Sequence, residues 1–232
     1  MKLAVIGYGA MGQLVARLGP AAGDEIGATL TSKDSARSSD EMAALLRGHD
    51  VAIDFSVGPA VVIHVEACMH AGVPLVQGTT GWKDHEADVR RIVGEHGGAM
   101  VYGANFSIGV NVFYRIVEHA TKLFSSLDGY EAFIEEQHHS RKLDAPSGTA
   151  LKLKSVMAEH IKRPISMAST RAGHIPGTHR VGFDSAADQI VLTHTARSRE
   201  GFAAGALLAA HWIIGRQGVY EFGEVIDGIL KL

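Results

Sequence analysis

Residues 135–150 hold the densest group of side chains able to do chemistry in this 232-residue chain. Two adjacent histidines, His138 and His139, precede Lys142. Burial or charged neighbours can bring the pKa of such groups near neutrality, where they transfer protons. The Pro-Ser-Gly-Thr turn at residues 146–149 adds hydroxyls and backbone N–H groups that can hold an anion at a helix start. The segment therefore predicts an active site for a carboxylate-bearing substrate.

The same segment has a structural alternative. It could be a polar loop between a strand ending near Ile134 and a helix over residues 149–161, with histidines that only cap and solvate. Adjacent residues of a strand point to opposite faces, so His138 and His139 are poorly placed to bind one metal ion. The 13 histidines of the chain also lack the spacing of a zinc site, and we expect no metal.

Composition limits the possible functions. The formal charge is −3 and the cationic residues are scattered, which argues against nucleic acid or an anionic membrane as partner. Cys68 is the only cysteine, so no intrachain disulfide can form, as is usual in a reducing compartment. No apolar run has the length of a membrane span, and the N-terminal apolar stretch is too short for a signal peptide. We expect a cytoplasmic protein.

A glycine-rich turn follows the first predicted strand. Residues 2–6 predict a short buried strand, and Gly7-Tyr8-Gly9-Ala10-Met11-Gly12 leads from it into a helix over residues 13–18. In this context the GxGxxG pattern predicts a dinucleotide site. The first glycine permits a tight turn, the second lets a pyrophosphate approach, and the third lets helix and strand pack closely. A glycine-rich turn without a ligand is the alternative.

The residues after the second predicted strand, 25–30, bear on the cofactor. NAD sites usually carry an acidic residue about 20 positions after the glycines. Ser32 stands there, with Lys33 beside it. A hydroxyl and a cation suit a 2′-phosphate, so the sequence favours NADP. A shift of one or two residues would bring Asp34 to the ribose instead, and Lys33 could be an ordinary surface charge.

Short apolar strands then alternate with helix-length segments. Residues 50–55, 73–76 and 100–102 predict strands and residues 59–71 a helix, the pattern of a Rossmann-type doubly wound parallel sheet of the α/β class. Two loops follow strands at the edge where such sheets bind ligands. They are Gly78-Thr79-Thr80 and Ala104-Asn105-Phe106-Ser107.

The pattern changes after residue 109. A long amphipathic helix over 110–127, a strand over 130–134 and a hairpin-like pair at 180–183 and 190–196 predict an inserted α+β domain with an antiparallel or mixed sheet. The span around Pro164 and Pro176 is expected to be rich in loops. The apolar helix at 202–215 returns to the first domain. We therefore expect a dinucleotide-binding domain of residues 1–107 plus 203–232, and a substrate-binding and oligomerisation domain of residues 108–202.

With these motifs in view, the chain resembles the dihydrodipicolinate reductases, also called 4-hydroxy-tetrahydrodipicolinate reductases, of bacterial lysine and diaminopimelate biosynthesis. The resemblance reaches about Trp212. It rests on motifs in the family's order: GYGAMG, VAIDFS, GTTGW, ANFSIGVN and HHSRKLDAPSGTA, then RAGHIPGTHRVGF and HTARSREGFAAGAL. It implies NAD(P)H-dependent reduction of the α,β-unsaturated cyclic imine derived from hydroxytetrahydrodipicolinate to tetrahydrodipicolinate.

The resemblance also implies roles for single residues. His138 would donate a proton and Lys142 would be a second donor that also holds the substrate. Substrate carboxylates would be bound by His139, Gly148, Thr149 and Arg199. The cofactor would contact residues 7–12, Lys33, residues 78–80 and residues 104–107. Homotetramers and use of both dinucleotides are common in the family.

The chain departs from the family pattern in two respects. Many family members have a longer glycine loop containing Arg, whereas Ala10 precedes Met11-Gly12 here. The chain is also shorter than the longer members. Both departures bear on cofactor preference.

Two rival hypotheses about function remain. A related amino-acid or imine dehydrogenase, such as an aspartate dehydrogenase, is one rival, and the HHxxKxDxPSGT segment argues against it. A catalytically silent dinucleotide-binding protein is the other, and the presence of both proton donors and the glycine loop argues against it.

Overall fold

The computed structural model describes residues 1–232, which form two compact units. Unit 1 comprises Met1–Ile108 and Arg199–Leu232, and unit 2 comprises Gly109–Ser198. None of the helices combines the length and the apolar character that crossing a membrane requires.

Unit 1 is built on a six-stranded sheet in which every neighbouring pair of strands is parallel. The strand order is β10-β5-β4-β3-β1-β2. The strands are β1 (Lys2–Ile6), β2 (Glu25–Leu30), β3 (Val51–Asp54), β4 (Leu75–Gln77), β5 (Ala99–Tyr102) and β10 (Gly218–Glu221). The order reverses direction at β1, between β2 and β3, as in doubly wound dinucleotide-binding folds. The predicted Rossmann-type sheet is confirmed.

Six helices connect and cover this sheet. They are α1 (Ala10–Leu18), α2 (Ser39–Leu46), α3 (Val61–Ala71), α4 (Glu86–Glu95), α7 (Glu200–Ile213) and α8 (Phe222–Leu230). Local chemistry sets several ends: Ser38 and Glu41 form a capping box that starts α2, and Gly72 ends α3 in the left-handed conformation. Helix α1 begins three residues before the predicted position, because Gly9 already serves as its N-cap.

The core of unit 1 explains why its strands read as continuous apolar runs. All four residues of β3 are fully buried. Side chains from α2, α3 and α4 join one core with one face of the sheet, while α7 packs against α1 and the middle strands. Parallel strands covered on both faces must be apolar on both.

Unit 2 contains a four-stranded mixed sheet in the order β7-β6-β8-β9. Its elements are α5 (Ile108–Phe124), β6 (Glu131–His138), α6 (Gly148–Ala158), β7 (Ser166–Arg171), β8 (Thr178–Asp184) and β9 (Gln189–Thr195). Strand β6 pairs in parallel with β7 and antiparallel with β8, and β8 pairs antiparallel with β9. The predicted mixed sheet and hairpin are confirmed. Helices α5 and α6 bury their apolar sides against one face of this sheet.

Two differences from the prediction in unit 2 affect the strands of its sheet most. Strand β6 continues four residues beyond Ile134, so His138 lies on a strand and not in a loop. The span expected to be rich in loops contains β7, whose sequence SMASTR forms a largely exposed edge strand. An edge strand with few apolar residues has no alternating pattern to reveal it.

Candidate active site

The sheet of unit 2 changes from apolar to polar along one face. Alternate residues of a strand share a face, so Ile134, Glu136 and His138 form one row along β6. Ile134 lies in the apolar core, whereas Glu136 pairs across the sheet with His179 of β8. We call the residues at this end of the sheet the polar cluster. It comprises Glu136, His138, Ser147, Arg171 and His179.

Glu136 is at the centre of the polar cluster and is 1% exposed. Its Oε1 atom accepts a hydrogen bond from Arg171 Nη2 at 2.7 Å, and its Oε2 atom lies 2.5 Å from His138 Nδ1. Burial opposes ionisation, but hydrogen bonds from Arg171 and Ser169 and the nearby His138 bring the pKa of Glu136 to about 2. The side chain is therefore a buried carboxylate anion at neutral pH.

The two histidines of the polar cluster both have a pKa below the ordinary value of imidazole. Burial lowers the pKa of His138, although the charge and hydrogen bond of Glu136 act in the opposite direction. Burial and the nearby His138 bring the pKa of His179 to about 4. The His179 ring packs edge-on against His138 with centroids 5.1 Å apart, and its Nε2 atom is hydrogen bonded to Ser147 Oγ at 3.0 Å.

A loop after β6 carries Lys142. Its Nζ atom forms an ion pair with Asp144 Oδ1 at 2.8 Å, and its backbone N–H donates to the carbonyl of His139. Arg171 Nη2 also donates to the carbonyl of Asp144 at 2.6 Å. One guanidinium therefore connects the buried Glu136 with the loop that carries Lys142.

The predicted anion-binding turn opens helix α6. Ser147 is the N-cap, and its Oγ accepts a hydrogen bond from the N–H of Ala150. Gly148 is the exposed first residue of the helix, and Thr149, the next, is half-buried. Backbone N–H groups at a helix start favour a bound anion. His139 is half-buried nearby in sequence, and its Nδ1 atom has no hydrogen-bond partner.

Unit 2 thus contains five of the six residues predicted to act on the substrate: His138, His139, Lys142, Gly148 and Thr149. Arg199 is the exception, since it belongs to unit 1 as the exposed residue that precedes α7.

Three side chains of the polar cluster also have the separation of metal ligands. The potential donor atoms of Glu136, His138 and His179 all lie within 4.8 Å of one another. However, Arg171 already neutralises the carboxylate, and Glu136 Oε2 faces His138 Nδ1. Both carboxylate oxygens therefore already lie against nitrogen atoms of the chain.

The glycine loop of unit 1 shows why two of its glycines admit no side chain. Gly7 has a φ of +83°, and a Cβ atom on it would lie 2.6 Å from the carbonyl oxygen of Phe55. A Cβ atom on Gly12 would lie 1.9 Å from the carbonyl oxygen of Gly7, so the start of α1 packs directly on the turn. Gly9 has open space around it. This is the geometry that a diphosphate requires.

A cavity of about 480 Å³ lies beside this loop, where the strand order reverses. Its lining includes Gly7, Gly9, Ser32, Asp34 and His64. Its position and size suit the adenosine part of a dinucleotide. Lys33 is exposed and does not line this cavity, whereas Asp34 does.

Asp34 is held in place at the cavity wall. Its Oδ2 atom accepts from the N–H of Thr31 at 2.9 Å, and its Oδ1 atom accepts from Arg37 Nε at 2.9 Å. Both bonds lower the pKa of Asp34.

The other residues predicted to contact the cofactor divide into exposed and structural positions. Thr80 and Ala104 are exposed. Phe106 is 2% exposed and packs on the rings of Phe55 and Phe222, which makes it part of the core. The N–H of Ser107 donates to Asn105 Oδ1 at 2.9 Å, which folds the loop on itself.

Thr79 belongs to a buried network around Asp54, whose side chain is fully buried at the end of β3. Asp54 Oδ2 lies 2.8 Å from His64 Nδ1 and accepts from Gln77 Nε2 at 2.9 Å, while Oδ1 accepts from the N–H of Ser56 and the hydroxyl of Thr79. Burial opposes ionisation, but the hydrogen bond and charge of His64 leave the pKa of Asp54 below its usual value. The network ties together the loops after β3 and β4.

Sequence reasoning missed Glu136, Arg171, His179, Asp54 and His64 as parts of these sites. The spacing of Glu136 could have indicated its role. It precedes His138 by two residues, so the two side chains share a face of β6 when that strand continues to residue 138. Arg171 and His179 stand inside the RAGHIPGTHRVGF motif, but nothing in their local pattern indicates that they meet Glu136.

Unit 1 is a Rossmann-type fold with a glycine loop, and unit 2 carries His138 and Lys142 in the segment that leads to a helix start. These are the features of a dinucleotide-dependent oxidoreductase. Family models describe the two parts of one such enzyme. "Dihydrodipicolinate reductase, N-terminus" matches residues 1–106, and "Dihydrodipicolinate reductase, C-terminus" matches residues 109–226. The chain belongs to the dihydrodipicolinate reductase family.

Similar proteins agree with this assignment. A 4-hydroxy-tetrahydrodipicolinate reductase of Christiangramia forsetii is 35% identical over 250 residues, covering 100% of both chains. That of Anaeromyxobacter dehalogenans is 38% identical over 212 residues, covering 81% of this chain and 76% of the relative. The structure of dipicolinate-bound dihydrodipicolinate reductase from Paenisporosarcina sp. TG-14 has the same fold, with a TM-score of 0.81, 22% identity and coverage of 95% and 97%. The resemblance found in the sequence is confirmed, and the rival dehydrogenase is not favoured.

Proposed function

We propose that this chain reduces the cyclic imine derived from 4-hydroxy-tetrahydrodipicolinate to tetrahydrodipicolinate, with NAD(P)H as reductant, in lysine and diaminopimelate biosynthesis. The observation that carries this proposal is the arrangement of His138 and Lys142 next to the start of α6, within the segment most specific to the family. The same segment combines proton donors with an anion-binding turn, as reduction of a dicarboxylate requires.

The bound dihydronicotinamide would supply a hydride, which leaves negative charge on a carbon conjugated to the imine. His138 is proposed to donate the proton that quenches this charge, and Lys142 to act as a second donor that also holds the substrate. Positioned general acids typically contribute about 10²–10⁴-fold to rate. The lowered pKa of His138 in the ligand-free chain is compatible with this role, since substrate carboxylates would favour its protonation.

The substrate carboxylates are proposed to bind His139, Gly148, Thr149 and Arg199. The unpartnered Nδ1 atom of His139 and the N-terminus of α6 support the first three assignments. Arg199 rests on the family resemblance and on its exposure.

The cofactor is proposed to bind unit 1 through residues 7–12, 32–33, 78–80 and 104–107. Ser32 and Lys33 favour NADPH, because a hydroxyl and a cation suit the 2′-phosphate. The carboxylate of Asp34 at the cavity wall favours a free ribose hydroxyl instead, which supports use of NADH as well. Preference is therefore a balance between neighbouring residues of one turn.

We further propose that unit 2 serves oligomerisation, that the protein works as a homotetramer, and that it is cytoplasmic. Support comes from the resemblance to the family and from the single cysteine, which is buried. Light scattering coupled to gel filtration measures the number of chains in the assembly, and a monomer would contradict the proposed homotetramer.

The test is an assay of nicotinamide absorbance with enzymatically generated hydroxytetrahydrodipicolinate and either NADPH or NADH. Oxidation that requires both the substrate and the protein is the expected result. No oxidation with either cofactor, from folded protein that binds dinucleotide, would favour one of the rival hypotheses. Aspartate and related amino acids should then be tried as substrates.

A further inference from the structure

The polar cluster contains charged groups to which the proposed reaction assigns no role. Glu136 is the only acidic side chain of unit 2 that is buried, and it is not placed where it must bind substrate. Burying a carboxylate is costly unless hydrogen bonds and a counter-charge compensate. Here Arg171 supplies the counter-charge, with its own side chain 17% exposed. Such an arrangement needs a reason beyond packing.

Glu136 bears on which nitrogen of His138 carries a proton. Its Oε2 atom lies 2.5 Å from His138 Nδ1, and because a carboxylate only accepts hydrogen bonds, this close ion pair favours a proton on Nδ1. The other nitrogen, Nε2, makes no hydrogen bond within the unit. Gly177 lies beside it, and a Cβ atom at that position would be 3.2 Å from Nε2. Glycine therefore leaves Nε2 free to exchange a proton with a ligand.

Arg171 contacts both Glu136 and the loop that carries Lys142. Its Nη2 atom donates to Glu136 Oε1 at 2.7 Å and to the carbonyl of Asp144 at 2.6 Å, and its Nη1 atom donates to the carbonyl of Thr170 at 2.9 Å. Asp144 in turn pairs with Lys142. The planar guanidinium can span these acceptors, and a lysine ammonium cannot do so with the same geometry.

We propose that Glu136 and Arg171 are positioning residues of the active site. Glu136 keeps a proton on Nδ1 of His138, so that Nε2 is the nitrogen that takes up the second proton and delivers it to the substrate from the resulting imidazolium. Arg171 aligns this pair with the loop that carries Lys142. The expected effect on catalysis rests on the proposed function. The position of the proton on His138 does not depend on it, because it is a property of the folded chain without substrate.

Charged and titratable groups face His138 from every neighbouring element. They are Glu136 on β6, Arg171 on β7, His179 on β8, and Lys142 with Asp144 in the loop. Among the groups that act on His138, Glu136 favours its protonated form and the cations oppose it. Removing the charge of Glu136 must therefore shift the titration of His138 to lower pH.

The main test is Glu136→Gln, which keeps the size of the side chain and removes its charge. We expect kcat to fall at least about tenfold, because a glutamine can also donate to Nδ1 and so no longer selects one tautomer. The pH above which kcat declines should move downward, and dinucleotide affinity should not change. The matched control is Glu135→Gln, because Glu135 is 45% exposed and pairs with Arg180 at 3.6 Å.

A second variant keeps the proposal testable if the first does not fold. Arg171→Lys preserves the positive charge but cannot bridge Glu136 and Asp144, and kcat should again fall, whereas Arg180→Lys on the exposed pair should not change it. If Glu136→Gln or, should that fail to fold, Arg171→Lys retains the kcat and pH profile of the parent chain, the proposal is wrong.

Nitrogen NMR of the histidine rings separates this proposal from the proposed function. In the parent chain, without substrate, His138 should show a protonated Nδ1 at a pH where the ring is neutral, and Glu136→Gln should show a mixture. A parent chain with the proton on Nε2 would overturn the assignment. An inactive parent chain with the expected tautomer would count against the proposed function alone.

Discussion

Each unit buries one carboxylate against the Nδ1 atom of a histidine, but the two pairs are completed differently. Asp54 lies 2.8 Å from His64 and is surrounded by neutral donors from Ser56, Gln77 and Thr79. Glu136 lies 2.5 Å from His138 and is neutralised by Arg171. The first pair joins two loops of a Rossmann-type fold, and the second stands next to the proposed proton donors.

The difference lies in which polar atoms are left without partners. Around Asp54 both carboxylate oxygens have hydrogen-bond partners, which are His64, the N–H of Ser56, the amide of Gln77 and the hydroxyl of Thr79. In the polar cluster, the Nδ1 atom of His179 and the Nε atom of Arg171 are buried without hydrogen bonds, and the contact between Glu136 Oε2 and His138 Nδ1 is a close ion pair and not a well-aligned hydrogen bond. Buried polar atoms without partners are rare in folded proteins and concentrate where ligands bind. A carboxylate–histidine pair is therefore enclosed by partners in unit 1, whereas in unit 2 it lies among the residues for which we propose a catalytic role.

The largest expected effect comes from removing a proton donor of unit 2. His138→Ala or Lys142→Ala should lower turnover by about 10²–10⁴-fold, since positioned general acids contribute that much. Dinucleotide affinity, which belongs to unit 1, should change little. The NAD(P)H oxidation assay and a fluorescence titration measure the two quantities. Exposed His174 provides the control variant, and unchanged turnover in the donor variants would refute the roles assigned to them.

The matching change in unit 1 should affect folding instead of chemistry. Asp54→Ala leaves His64 and three other donors without their acceptor, and breaking a buried pair from one side costs about 3–5 kcal/mol. Urea unfolding measures this loss. Asp40→Ala is the control, because Asp40 also pairs with a histidine at 2.8 Å but is 84% exposed, and its loss should cost less than about 1 kcal/mol. If both variants lost the same free energy of unfolding, the buried Asp54 pair would have no special structural role in unit 1.

A smaller effect should appear in the pH dependence of stability. His179 has a pKa of about 4 in the folded chain, below its ordinary value of 6.5, so the unfolded chain binds the proton more readily. Stability is therefore complete above pH 6.5 and falls as the pH drops towards 4, by at most about 3 kcal/mol. His179→Gln cannot titrate, and the free energy of unfolding of this variant should depend less on pH in that range. An unchanged pH dependence would show that the pKa of His179 does not differ between the folded and the unfolded chain.

The smallest expected effect concerns the cofactor. Lys33→Ala should lower the preference for NADPH over NADH by about threefold to tenfold, because an exposed charge contributes up to about 1 kcal/mol or slightly more. The ratio of kcat/KM for the two cofactors measures it. Lys83→Ala, another exposed lysine of unit 1, is the control. If only a change at Asp34 alters the ratio, the cavity wall and not Lys33 sets the preference.

Much of the fold followed from local patterns. The residues of β1 and β2 were predicted without error. Strand β1 is a buried apolar run that glycine ends, and β2 is a short segment rich in apolar residues that polar residues follow. The mixed sheet of unit 2 was predicted from its hairpin. The edge strand β7 was not, since its sequence SMASTR is largely exposed and shows neither alternation nor an apolar run.

The sequence by itself determined the glycine turn, the family, and the presence of His138, His139 and Lys142 in one segment, because each of these depends on residues close together along the chain. Only the tertiary structure decided that Glu136, Arg171 and His179 meet around His138. Three strands contribute these residues, and their contact depends on the register of β6 with β7 and β8. The buried face of the sheet against α5 and α6 fixes this register, and a strand pattern by itself does not name the partner residues on strands distant in sequence.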